Sequence, residues 1–172
     1  MKKGYIQLYT GNGKGKTTAA LGLALRAAGA GFNVWIGQFA KGTACSEHEA
    51  LKRFDDLITV KRFGKSFFIK GTPEAEDIVS AKQGLKEVEE VLEKGDFTLV
   101  VLDEACIALH FNLFSTEELI NVLKKKPEHV ELVITGRNAP QALIDIADLV
   151  TEMKEVKHYY TSGVPARKGI EE

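Results

Sequence analysis

The run Thr10-Gly11-Asn12-Gly13-Lys14-Gly15-Lys16-Thr17-Thr18 constrains this chain more than any other segment. It follows the apolar stretch Tyr5-Ile6-Gln7-Leu8-Tyr9 and opens an Ala/Leu-rich stretch from Ala19 to Ala28. Strand, glycine-rich loop, helix is the setting in which a phosphate-binding loop works. Glycines let successive backbone N–H groups converge on one anion. The helix N-terminus adds unpaired N–H groups and partial positive charge. Lys16 is placed to neutralise phosphate oxygens, and the Thr17 hydroxyl to ligate Mg²⁺, with Mn²⁺ as an alternative. One position departs from the pattern G-x-x-x-x-G-K-[ST]. Thr10 stands where the first glycine would be, and Gly11 and Gly13 are expected to restore the flexibility it removes.

At 172 residues the chain reads as one domain, 1–172, large enough for a real core. Lys plus Arg total 23 and Asp plus Glu 24, a net charge of −1, which argues against a general nucleic-acid or membrane-surface binder. Positive field must therefore be local, as at Lys14 and Lys16. No signal peptide is expected, because the N-terminus enters a strand almost at once. No apolar run approaches the roughly 18–20 residues needed to span a bilayer. Cys45 and Cys106 lack metal-ligand spacing and read as reduced thiols of a cytoplasmic protein.

Apolar runs alternate with helical patterns, which predicts an α/β fold with a largely parallel sheet flanked by helices. Strands are expected at Val34–Phe39, Ile58–Phe63, Thr98–Leu102, Val130–Thr135 and Leu149–Met153. Thr72-Pro73-Glu74 reads as a helix start with Thr72 as N-cap and Pro73 at the first helical position. Ala75, Ile78, Val79, Leu85, Val88 and Leu92 then form its apolar stripe. Ser115-Thr116-Glu117-Glu118 is a capping box opening a helix through Leu123. A further helix is expected over Pro140–Ala147. Gly42–Ser46 and Gly64–Gly71 read as loops over the site.

Asp103-Glu104 closes the most apolar of these strands. Parallel strands place ligand sites at their carboxyl ends, so both acids should face the phosphate loop. One carboxylate would hold Mg²⁺, directly or through water; Glu104 has a competing role as general base in ATP hydrolysis. Arg137, after Thr135-Gly136 at the same sheet edge, would clamp a phosphate with its planar fork. Of the histidines, His48 and His129 read as solvent-facing, His110 lies in an apolar patch and His158 in a polar segment. None has a partner spacing that suggests a metal site.

Taken together, these segments resemble the P-loop ATP:corrinoid adenosyltransferases over nearly the whole length. YTGNGKGKTTAALGLALRAAG matches the family's loop, with Thr10 where the family also has Thr. QFAKG (Gln38 to Gly42) is similar to its Q-F-I-K-G element, and VVLDE (Val100 to Glu104) to its acidic strand. ELVITGRNAP, LIDIADLVTEM and the tail VKHYYTSGVPARKGIEE match its Arg loop, following helix and terminal motif. The resemblance implies a RecA-like sheet with the tail 154–172 packed on it, and a homodimer. Reduced cobalt would attack the 5′ carbon of ATP, giving an adenosyl-corrinoid and triphosphate. An external reductant such as reduced flavodoxin would supply electrons. Residues 10–18 would bind ATP, with Lys16, Thr17, Glu104 and Arg137 catalytic and Thr17, Asp103 and Glu104 at the metal. Lys41, Phe67 and Phe68 would also bind the substrates, the two phenylalanines on the corrinoid side.

The chain departs from the family on that side. The Trp that follows Q-F-I-K-G is absent from Gly42–Glu47, and F-T-W becomes Phe67-Phe68-Ile69. The competing reading is a RecA-like ATPase that hydrolyses ATP for a partner protein. A corrinoid carrier is disfavoured because D-x-H-x-x-G is absent, and no acceptor signature marks a small-molecule kinase.

Overall fold

The computed structural model describes residues 2–40, 46–64 and 71–171. In chain order its elements are β1 (Ile6–Thr10), α1 (Lys16–Gly29), β2 (Val34–Phe39), α2 (Ser46–Leu51), β3 (Ile58–Phe63), α3 (Ala75–Lys94), β4 (Leu99–Asp103), α4 (Ala105–His110), α5 (Thr116–Leu123), β5 (Glu131–Thr135), α6 (Gln141–Ile146) and β6 (Leu149–Glu152). The six strands form one sheet in the order β3-β2-β4-β5-β1-β6. Every pairing is parallel, so each connection must cross over a face of the sheet. This is the expected α/β architecture, and it is consistent with a RecA-like fold.

The period of two along each strand sorts the core into two layers. Val34 and Ile36 of β2, Leu99 and Val101 of β4 and Val133 of β5 pack with Ala20, Leu21, Ala24 and Ala28 of α1. Trp35, Phe39, Val100, Leu102, Leu132 and Ile134 face the other way, onto α3, α4, α5 and α6. β4 is buried along its whole length, as expected of a central parallel strand covered on both faces. The same alternation, carried one step further, sets the position of the polar residues. Asp103 and Thr135 end their strands, and Gln38 is the last but one of β2, all on the α1 side and in phase with the apolar residues before them.

Three expectations are corrected. The helix predicted from Thr72 begins at Ala75, with Glu74 as its N-cap in a capping box with Asp77. A charged cap with a reciprocal partner outcompetes Thr72, and Pro73 falls before the helix rather than in its first turn. Val79 is 67% exposed and Ala75 is also exposed; the buried stripe of α3 is Ala81, Gly84, Leu85, Val88 and Leu92. His48 is buried, not solvent-facing, because α2 turns it onto the end of β2. His129 is exposed as expected and bonds the Gly95 carbonyl. No described helix is long and apolar enough to cross a membrane.

Candidate active site

β1 runs straight into the loop. Thr10, the residue in the first-glycine position, is the last residue of β1 and pairs with Glu152 of β6. Extended backbone suits threonine, so no glycine is required there. Left-handed backbone falls at Gly11 (φ 93°) and Gly15 (φ 118°), where a β-carbon would be strained. Gly13 is needed for a different reason: its N–H donates to the Met153 carbonyl at 2.7 Å, and a β-carbon would sit 2.8 Å from that oxygen. Gly15 caps α1, whose first residue is Lys16.

Lys16 is buried and folds back over the loop, donating from Nζ to the carbonyl oxygens of Gly11 (2.7 Å) and Gly13 (2.8 Å). Burial lowers its pKa, and the neighbouring Glu104 and Asp103 carboxylates oppose that shift. Arg137, exposed beyond Gly136, lies close enough to lower it further. Three of the predicted site residues, Lys16, Glu104 and Arg137, therefore share one electrostatic environment.

Asp103 is fully buried. Its Oδ1 accepts from the Thr17 hydroxyl (2.9 Å) and the Thr135 hydroxyl (2.7 Å), and its Oδ2 from Gln38 Nε2 (3.0 Å). β5 separates β4 from β1, and Thr135 bridges that gap. It also accepts from the Glu104 N–H at 2.9 Å, which anchors Glu104 in a left-handed turn (φ 56°) at the start of α4. Cys106, in the first turn of α4, is fully buried. Burial and the adjacent Glu104 push its thiol up to about 12, which leaves it chemically inert.

Lys14 points away from Lys16. Its Nζ donates to Glu171 Oε1 (2.9 Å) and the Ile170 carbonyl (2.7 Å), with the Tyr159 hydroxyl at 3.4 Å. Glu171 also accepts from Arg167 and Tyr159. These donors, Arg167 first, hold its carboxyl well below the usual carboxylate range. Asn12 and Thr18 are exposed. Beside the first half of the loop lies a cavity of about 350 Å³ lined by Thr10, Gly11, Asn12, Asn138, Ala139, Ile144, Val150 and Glu152. Lys41, Phe67 and Phe68 lie outside the described residues.

Gln38 and Thr135 lie within the matched segments QFAKG and ELVITGRNAP, but the motifs assign them no role, and His48 lies in none of the matched segments. Their signal is positional: a polar residue at the carboxyl end of an otherwise apolar buried strand, for Gln38 and Thr135. His48 carries no comparable mark.

Comparison with known proteins agrees with this geometry. The corrinoid adenosyltransferase of Pseudomonas aeruginosa is 36% identical over 99% of this chain and 84% of its own length. Sinorhizobium sp has a corrinoid adenosyltransferase 37% identical over 99% of this chain and 81% of its own. Corrinoid adenosyltransferase CobA of Salmonella typhimurium is 37% identical over 99% and 86%. The family model described as ATP:corrinoid adenosyltransferase BtuR/CobO/CobP matches residues 2–171. With phosphate loop, acidic strand end and tail matched along that whole span, the chain belongs to the ATP:corrinoid adenosyltransferase family.

Proposed function

We propose that this chain works as its family does, transferring the 5′-deoxyadenosyl group of ATP to the reduced cobalt of a corrinoid and releasing triphosphate. The observation that carries this reading is the meeting of Lys16, Thr17 and Asp103 at one sheet end, in a chain matched over residues 2–171. The electron pair of Co(I) forms the Co–C bond as the C5′–O bond breaks, and the bonding pair leaves with triphosphate. The cobalt passes formally from Co(I) to Co(III) in that step without outside electrons; the external reductant, such as reduced flavodoxin, acts earlier, reducing the incoming corrinoid to Co(I). The nucleophile carries no proton, and no general base is needed. Catalysis is positioning and charge stabilisation.

Loop N–H groups, Lys16 and Arg137 would receive the growing negative charge. A buried carboxylate beside a hydroxyl is a hard-oxygen donor pair, which suits Mg²⁺ or Mn²⁺ held mainly by phosphates and waters. Thr17 and Asp103 would hold the ion, with Glu104 beside them, and the bound ion would supply further charge neutralisation on triphosphate. The mixed polar and apolar cavity beside Gly11 and Asn12 suits a nucleoside. On the family resemblance Lys41 is assigned to substrate binding and Phe67 and Phe68 to the corrinoid side, and a homodimer and a cytoplasmic setting go with the same reading. The hydrolytic alternative, with Glu104 as base, finds no support in the relatives' names.

The test is incubation with Mg-ATP and chemically reduced corrinoid without oxygen. Triphosphate in equal amount to a light-sensitive adenosyl-corrinoid is expected. ADP and phosphate with unchanged corrinoid would overturn the reading.

A further inference from the structure

β2 and β4 are neighbours in the sheet, with Gln38 opposite Asp103. The connection from β2 leads outward to β3, and that from β4 leads the other way to β5. Their carboxyl ends therefore flank the crevice where α/β sheets place ligands. In that crevice stands a line of buried side chains. Gln38 is 1% exposed and His48 9%. His48 Nε2 bonds Gln38 Oε1, Gln38 Nε2 donates to Asp103, and Asp103 accepts from Thr17.

The direction of each bond is set by charge. A carboxylate can only accept, so Gln38 must turn its NH₂ toward Asp103. Its carbonyl oxygen then faces His48, which must donate from Nε2. Remove that donor and the amide loses the partner that holds it against Asp103. A flipped amide would place its oxygen against the carboxylate, and a buried acceptor would be left unsatisfied.

We propose that His48 is a positioning residue for the nucleotide site: through Gln38 it fixes the Asp103 carboxylate against Thr17, and so sets the affinity for the Mg²⁺ that accompanies ATP. The inference rests on the assignment of Asp103 and Thr17 to the metal. It links α2 to the phosphate loop through four side chains.

The experiment is calorimetric titration of ATP into the full-length chain, with EDTA and over a series of Mg²⁺ concentrations. The proteins are wild type, Asp103→Asn, His48→Ala, His48→Gln and His48→Asn. His48→Ala should need about tenfold more Mg²⁺ for the same ATP affinity, the scale of one lost hydrogen bond to a charged chain, while its metal-free affinity stays at the wild-type value. His48→Gln, which carries an N–H donor at similar reach, should restore the wild-type Mg²⁺ dependence. Wild-type dependence in His48→Ala, or equal weakness in His48→Ala and His48→Gln, would overturn the inference. Should His48→Ala fail to fold, the shorter His48→Asn takes its place: weakened Mg²⁺ dependence beside a normal His48→Gln supports it, and equal behaviour of the two overturns it. If Asp103→Asn and wild type respond alike to Mg²⁺, the metal assignment itself fails and the inference falls with it.

Discussion

Lys16 is the side chain on which the loop's chemistry turns. Its ammonium is satisfied by two loop carbonyls at 2.7 and 2.8 Å, so the fold does not depend on a bound anion to keep it buried. Phosphate oxygens offer the same ammonium charged acceptors, and charge-assisted bonds are worth roughly 1.5–3 kcal/mol. Lys16→Ala should therefore weaken ATP binding by about 100-fold while the melting temperature stays within a few degrees of wild type; calorimetry and thermal unfolding check the two halves. Cys106 makes the opposite prediction. With its thiol pushed up to about 12, thiolate is scarce at pH 8, and burial closes the approach. Iodoacetamide should leave Cys106 unmodified until denaturant is added, as read by peptide mass spectrometry.

Among the elements, α3 approaches the sheet most closely at Gly84, where a β-carbon would lie 2.4 Å from the Phe63 ring. That ring is held between Trp35 and Phe39 and cannot swing aside. Alanine would gain about 1 kcal/mol of helix propensity, but overpacking costs typically 1–3 kcal/mol, and the clash should win. Gly84→Ala is expected to lower the melting temperature by several degrees in a calorimetric scan. The strands that frame this contact were readable because each combines β-branched or aromatic residues with a turn signal. β2 and β3 fall on the expected residues, and β4 is displaced by one. Two of the six-residue helices leave no such trace, although the third, Gln141–Ile146, was expected after Pro140. Ser46–Leu51 is too short to display a 3.6-residue period, and Ala105–His110 is apolar nearly all round because it is buried. The loop, Asp103 and Arg137 were legible because chemistry restricts their residue types. Gln38 and His48 were not, since their role comes from register across β2 and β4 and from the packing of α2.

At the scale of the molecule, the last turn docks on the phosphate loop through Lys14 and Glu171. A carboxyl held below its usual range contributes stability that is fully present above the unfolded value of about 4.3 and is lost as pH falls toward the folded one. Amide exchange over residues 159–171, corrected for intrinsic rate, should be flat from pH 5 to 8 and rise below about pH 4. Glu171→Gln should show the faster exchange at pH 7. The sheet order carries a consequence for how the protein is made. β1 leaves the ribosome first, yet its neighbours in the sheet are β5 and β6, and Lys14 waits for a partner 157 positions later. A nascent chain can assemble β2, β3 and β4 while β1 is still without neighbours. Such non-local pairing is slow and exposes apolar edges. The phosphate loop thus gains its final setting only after β5, β6 and Glu171, all later in the chain, have been made.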